Sequence, residues 1–527
     1  MTCVLAIDQG TTGTTCLVIG KDGRILGRAY REITQHYPQP GWVEHDAHEI
    51  LDRTIAAARE AIADAESTAG VTPIAIGITN QRETIVVWER ATGRAVHRAI
   101  VWQDRRTADR CLELAPQAKM IAEKTGLVTD PYFSATKLEW LLQQPGMGER
   151  AARGELAAGT IDSWLVWHLT GGASHVTDHT NASRTMLYDL GTHGWSPDLC
   201  ALFSVPAGML PRIVPSSGMV GSALASVLGH EIPIMGIAGD QQAALFGQGG
   251  WHAGSGKNTY GTGAFLLLNT GAARPQSTTG LLTTIACDER GAPVYALEAS
   301  IFIAGAAVQW LRDGLGIIAH SSETEGMARS LESNEGVYFV PALVGLGAPD
   351  WEPNARGTIV GLTRGTTRAH VARAALEAMA YATNDVLGDM RTQGGVPFDR
   401  LRVDGGATSN DWLMQFQADV LGVPVERPDI VETTAMGAAG LAGLAVGLWA
   451  NGDEFLAGRH FTRFTPTGNA TASAGYDGWR RAVRGALSWA RDSDVLDADV
   501  LDADVLDADV LDADVVDIDV RDSGRAP

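Results

Sequence analysis

Asp8-Gln9-Gly10-Thr11-Thr12-Gly13-Thr14-Thr15 lies between two apolar runs, Val4 to Ile7 and Cys16 to Ile19. The pattern reads as strand, turn, strand. Glycines at the turn let backbone N–H groups approach anionic oxygens closely, and the threonines add hydroxyls. A weaker copy follows much later. Asn258-Thr259-Tyr260-Gly261-Thr262-Gly263-Ala264 leads into the apolar run Phe265 to Leu268. Two such turns predict a duplicated nucleotide-binding unit. The Gly-rich stretch Gly247-Gln248-Gly249-Gly250 suits the hinge between the copies.

The rest of the chain supports that frame. Its 527 residues are too many for one core and predict two large domains. Apolar runs such as Ile74 to Ile78 alternate with helical patterns such as Ala369 to Leu387, where Val371, Ala375, Ala378 and Ala382 share a face. Alternation of this kind points to an α/β architecture. The stretch Ala435 to Leu448, with four glycines, is too short to span a bilayer and reads as a buried, closely packed helix. The expected division is 1–247, 248–490 and a tail at 491–527.

Charge excludes some partners. Of the net charge of −21, −10 sits between Arg491 and Pro527, which leaves −11 for residues 1–490. An acidic body without a basic cluster gives no electrostatic reason to expect nucleic acid or an anionic membrane as partner, and no membrane insertion is expected. Five scattered cysteines without a C-x-x-C pair, and no basic-then-apolar leader, predict a reducing, cytoplasmic setting. In the tail, Leu-Asp-Ala-Asp-Val repeats four times from Leu496 to Val515. Dense like charge and few large side chains predict disorder there.

Three segments carry chemistry. Arg82-Glu83 follows an apolar strand, and an adjacent donor fork and acceptor can bracket neighbouring hydroxyls; an ordinary surface ion pair is the bland alternative. Asp240 follows Ile232 to Ala238, at the strand end where α/β sheets bind ligands. A carboxylate there can accept a hydroxyl proton during phosphoryl transfer; helix capping is the alternative. Asp8, before the first turn, can hold a magnesium ion through water. Gly254-Ser255-Gly256-Lys257-Asn258 is not a Walker loop, since Trp251 and Asn258 occupy required positions.

Several longer stretches complete the pattern. They include Gly41-Trp42-Val43-Glu44-His45-Asp46, Asn80-Gln81-Arg82-Glu83-Thr84, Ile100-Val101-Trp102-Gln103 and Asp130-Pro131-Tyr132-Phe133-Ser134. Thr180 to Met186, Gly345 to Pro349 and Val403 to Asn410 follow in the same order. Through these motifs the chain resembles the FGGY carbohydrate kinases, and within them the branch acting on glycerol, over nearly everything except the tail. The resemblance implies two actin-like, ribonuclease-H-like domains with an interdomain cleft, ATP and glycerol as substrates, Mg2+, and a homo-oligomer. It implies Asp240 as catalytic base. Arg82, Glu83, Tyr132, Asp240 and Gln241 would grip the polyol, with Trp102 and Phe265 as aromatic walls. Thr11, Thr12, Gly13 and Thr262 would contact phosphates, and Gly305, Gln309, Gly406 and Asn410 the adenine nucleotide. Asp8 and Asp240 would form the magnesium neighbourhood.

Departures from the family pattern are few. Thr15 stands where many relatives carry Arg, which removes one charge-assisted phosphate contact. Leu228-Gly229-His230-Glu231 leads directly into Ile232, without the Gly-Gly-Thr-Arg loop that serves sugar-bisphosphate inhibition. Two other readings compete. A sister kinase of a pentulose, hexonate or tetritol would keep the ATP half and change the Arg82, Glu83, Trp102 and Tyr132 pocket. A structural or sensor protein of actin-like fold would need neither a base nor a polyol grip.

Overall fold

A computed structural model describes residues 2–275 and 280–503. The first sheet is built from β1 (Cys3–Gln9), β2 (Gly13–Gly20), β3 (Ile25–Glu32), β4 (Ile76–Asn80), β5 (Ser217–Ala223) and β6 (Ile232–Gly239), in the order β5-β6-β4-β1-β2-β3. β1 runs antiparallel to β2 but parallel to β4, and β4 runs parallel to β6. Helix α1 (Ala47–Ala69) covers β2 and β3. Its N-terminus is capped by Asp46, whose side chain accepts from His48 N and Glu49 N, and it ends on Gly70 in the left-handed conformation.

Helix α2 (Asp240–Gly247) leads to the second sheet. That sheet holds β7 (Gly256–Tyr260), β8 (Ala264–Gly271), β9 (Leu282–Cys287), β10 (Pro293–Ile301), β11 (Leu401–Asp404), β12 (Val425–Pro428) and β13 (Phe461–Phe464). Its order is β9-β10-β8-β7-β11-β12-β13, again with an antiparallel β7–β8 pair and a parallel β7–β11 pair. The run β3-β2-β1-β4-β6 is therefore repeated as β10-β8-β7-β11-β12. The duplication expected from two turns is present in the topology of both sheets.

Central strands of this kind are covered on both faces, so they read as continuous apolar runs. Val4, Leu5, Ala6 and Ile7 are all inaccessible to solvent. In the second half, α3 (Gly305–Asp313), α4 (Arg368–Gly394) and α5 (Asp411–Leu421) supply the covering layer. α4 is buried round most of its circumference, including the Arg373–Glu377 pair, and not only along the predicted alanine face.

Packing crosses one of the expected boundaries and secondary structure another. Helix α6 (Thr433–Ala445) lies beyond residue 248 in sequence yet packs on β1, β4 and β6 of the first sheet. Glycines make this contact possible: a Cβ on Gly77 would meet Ala438 O at 2.0 Å, and one on Gly437 would strike the Ala243 carbonyl. Trp449 follows the helix back and donates to Lys21 O at 2.8 Å. The chain thus returns to its first half to complete that core. The second boundary is the tail. Helix α7 (Ala470–Ala503) runs past 491, so the first repeat copy is helical where disorder is predicted. Trp479, Ala482, Ala486 and Ala490 anchor the earlier turns, and each added residue then gains a hydrogen bond without a new nucleation cost. The expectation for 504–527 lies outside the described residues.

Candidate active site

Three side chains singled out by sequence stand at or just beyond the ends of adjacent parallel strands. Asp8 is on β1, Arg82 follows β4, and Asp240 follows β6. This is the edge of an α/β sheet where ligands bind. Asp240 opens α2, but Gly239 is the N-cap residue, so the carboxylate is not consumed in capping. Its Oδ1 accepts from Gln241 N at 2.7 Å and lies 3.3 Å from Arg82 Nε. Its side chain keeps 30% of its surface exposed, whereas that of Arg82 keeps 2%.

The bland reading of Arg82-Glu83 as a surface pair fails. Both are buried, in a network of alternating charge. Arg82 Nη1 and Nη2 donate to Glu298 Oε2 and Oε1 at 2.6 and 2.8 Å, and Nη1 also reaches Gln242 Oε1 at 3.2 Å. Arg184 Nε donates to Glu83 Oε1 at 2.6 Å. Glu83 adopts φ 61°, uncommon outside glycine, while Ser134 Oγ donates to its carbonyl at 2.8 Å. Tyr132 and Trp102 meet edge to face at 5.5 Å, and the Arg184 guanidinium lies 5.6 Å from the Tyr132 ring centre. Trp102 Nε1 donates to Thr11 Oγ1 at 2.9 Å, linking this pocket to the first turn.

Electrostatics follow from enclosure. Burial lifts the Asp240 carboxyl above its usual range, against the pull of Arg82. Burial, then the charge of Asp240, pushes Asp8 up to about 7. Burial disfavours the Glu298 carboxylate too, but Arg184 and Arg82 outweigh it and hold it at about 2. Burial brings Lys257 down to about 8; its Nζ donates to Gln241 Oε1 and, at 2.7 Å, to Thr259 Oγ1.

Asp8 and Asp240 are the two carboxylates that would hold a magnesium ion here. The Asp240 charge raises the cost of ionising Asp8, and such a pair of carboxylates suits a hard divalent cation, which prefers oxygen ligands and retains water.

The turns occupy matching places. Gly10 N donates to Gly13 O at 2.8 Å between β1 and β2, and Gly261 N to Gly263 O at 2.8 Å between β7 and β8. Thr12 and Thr262 at their tips are exposed. A cavity of about 460 Å³ is lined by Thr262, Gly305, Gln309, Gly406 and Asn410, with Leu376 and Met379 supplying apolar surface. Gly305 allows the close pass to Gly261, whose oxygen a Cβ would meet at 2.6 Å. Asn410 caps α5 through Leu413 N at 2.9 Å.

Phe265 comes from the second sheet. It sits on β8 opposite Thr259, and among the described residues it makes no ring contact with Trp102 or Tyr132. Sequence reasoning missed Glu298, Lys257, Gln242 and the role of Arg184. A lone charge inside a buried strand was the available signal for the first two. His230, near the absent loop, pairs with Glu66 at 2.8 Å. Among the described residues no helix is long and apolar enough to cross a membrane, and the five cysteines are buried and unpaired.

Known proteins resemble this chain over most of its length. Residues 3–247 match the N-terminal domain of the FGGY family of carbohydrate kinases, and residues 256–446 match its C-terminal domain. A glycerol kinase of Dechloromonas aromatica is 56% identical over 492 residues, covering 92% of this chain and 98% of that protein. One from Deinococcus radiodurans is 53% identical over 496 residues, covering 93% and 99%. Among solved structures, Plasmodium falciparum glycerol kinase with ADP superposes with a TM-score of 0.88 at 36% identity, covering 92% of this chain and 98% of that one. A xylulose kinase from Lactobacillus acidophilus shares the fold, with a TM-score of 0.82 at 21% identity and coverage of 93% and 99%. The chain belongs to the FGGY family of carbohydrate kinases.

Proposed function

We propose that this protein transfers the γ-phosphoryl group of ATP to glycerol, giving sn-glycerol 3-phosphate and ADP. The observation that carries the reading is the partly exposed Asp240 carboxylate, set 3.3 Å from a buried arginine at the sheet's ligand-binding edge. Relatives more than half identical over nearly the whole chain are glycerol kinases.

In this reading the roles divide by chemistry. Arg82 and Glu83 pair with adjacent hydroxyls as donor and acceptor, and Tyr132 and Gln241 complete the polar wall. Trp102 and Phe265 face the carbon chain, Phe265 after closure of the cleft. A site that pairs every hydroxyl rejects analogues lacking one far better than shape alone does. Asp240 takes the proton of the attacking hydroxyl as its oxygen bonds to the γ-phosphorus and the bond to the β-phosphate oxygen breaks. Its raised proton affinity favours that transfer. The turns at Thr11, Thr12, Gly13 and Thr262 contact phosphates, and the cavity of Gly305, Gln309, Gly406 and Asn410 takes the nucleoside. Asp8 and Asp240 would hold magnesium, which when bound offsets negative charge on the phosphates. A cytoplasmic homo-oligomer is part of the same reading.

The test is ADP release from magnesium-ATP with glycerol, dihydroxyacetone, erythritol, xylulose or gluconate. Strong stimulation by glycerol above the others is expected. Stimulation by another polyol alone would overturn the substrate assignment.

A further inference from the structure

Glu298 is a charged residue within the apolar strand β10, and it is wholly buried. It belongs to the second sheet, yet its partners come from the first half of the molecule. Its two oxygens accept from the two terminal nitrogens of Arg82 at 2.6 and 2.8 Å, and Oε1 lies 3.1 Å from Arg184 Nη2. The neighbouring strand β9 is itself fastened to that half. Gln242 Nε2 donates to Ile285 O at 3.0 Å, and Ser183 and Thr284 share a hydroxyl contact at 3.1 Å.

An arginine has five N–H donors in a rigid plane. Two of those of Arg82 are taken by Glu298 and one by Gln242, while Nε faces Asp240. One N–H on Nη2 is left over for a substrate hydroxyl. Fixing one edge of the plane fixes where Nε and that last donor point. Stability alone does not call for this arrangement, because a buried ion pair is often no better than well-packed apolar residues.

We propose that Glu298 is the positioning residue of the polyol grip, holding Arg82 from the nucleotide-binding half so that it addresses the substrate and Asp240 together. The proposal rests on the glycerol-kinase reading. It adds that substrate capture depends on a carboxylate that touches no substrate.

The experiment measures glycerol KM, kcat and ADP affinity for the unaltered protein, Glu298→Gln, Arg82→Lys and the double variant. In Glu298→Gln an amide NH2 faces an arginine donor. Glycerol KM is expected to rise at least tenfold while the Kd for ADP stays within twofold. The double variant is expected to fall no more than about threefold below Arg82→Lys in kcat/KM, because both changes break one unit. A glycerol KM within twofold of the unaltered protein, ADP binding lost in step, or effects that multiply in the double variant would overturn it. If Glu298→Gln does not fold, the crystal structure of the unaltered protein with glycerol decides. Arg82 on both Glu298 and a glycerol hydroxyl supports the proposal, and Arg82 released from Glu298 overturns it. No glycerol-dependent ADP release from the unaltered protein would reject the functional reading itself, and the proposal with it.

Discussion

Asp240 Oδ1 and Arg82 Nε lie 3.3 Å apart, at the ends of two neighbouring parallel strands. The contact places a positive charge beside the carboxylate, yet burial still lifts the Asp240 carboxyl above its ordinary range. A base next to an arginine must keep proton affinity while staying ionised, and the two opposing effects set that balance. Asp240→Asn keeps the shape and removes the base. The expected outcome is a fall in kcat of about 10²–10⁴-fold, with the melting temperature held within a few degrees. Steady-state kinetics with glycerol and magnesium-ATP check it, and near-normal turnover would remove Asp240 from its role.

Arg82→Ala tests a different link. The substitution removes a polyol donor and also strands Glu298, a buried carboxylate whose low pKa of about 2 depends on Arg184 and Arg82. Breaking a buried pair by deleting one partner costs about 3–5 kcal/mol. The variant is therefore expected to show both a raised glycerol KM and a lower melting temperature. Thermal unfolding and glycerol titration of one preparation measure both, and an unchanged KM would count against the grip.

The comparison between sequence and structure divides along physical lines. Asp8, Arg82 and Asp240 were legible because each stands at or just past the end of an apolar run, and strand ends are where α/β sheets place ligands. The paired turns at Gly10 and Gly261 gave away the duplicated topology for the same local reason. Glu298 was not legible. Its meaning comes from Arg82, 216 residues away, and no local spacing encodes a contact between sheets. Nor did the return of α6 to the first sheet show in the chain order. Its glycines predicted close packing but not the surface packed against. Phe265 was assigned by resemblance alone, since a phenylalanine in the apolar strand β8 carries no local sign of a substrate wall.

Close packing of α6 makes a stability prediction with an internal control. A Cβ on Gly77 would meet the backbone oxygen of Ala438 at 2.0 Å, whereas one on Gly485 in α7 would meet nothing within 4 Å. Backbone cannot swing aside as a side-chain tip can. Gly77→Ala is expected to cost about 1–3 kcal/mol or more. Gly485→Ala, in an exposed helix interior, is expected to gain about 0.5–1 kcal/mol. Thermal or urea unfolding of the two variants reads the contrast. Equal effects would mean that α6 does not lie on β4 as described.

His175 supplies a pH prediction. Its ring packs edge-on against Trp88 and Trp167, and Nε2 lies 3.0 Å from Ala158 O. Burial brings its pKa from 6.5 down to about 4. Between those values the unfolded chain binds a proton that the folded chain refuses, so stability falls as pH drops through 6.5 towards 4. Other buried groups titrate in this range too, so the informative quantity is a difference between proteins. His175→Gln lacks the titration and keeps a polar group for the Ala158 carbonyl. On moving from pH 7.5 to 5.5 the unaltered protein is expected to lose about 1 kcal/mol more than the variant. Urea unfolding of both proteins at the two pH values measures it. An identical pH dependence would show that the imidazole is as easily protonated in the folded chain as in the unfolded one.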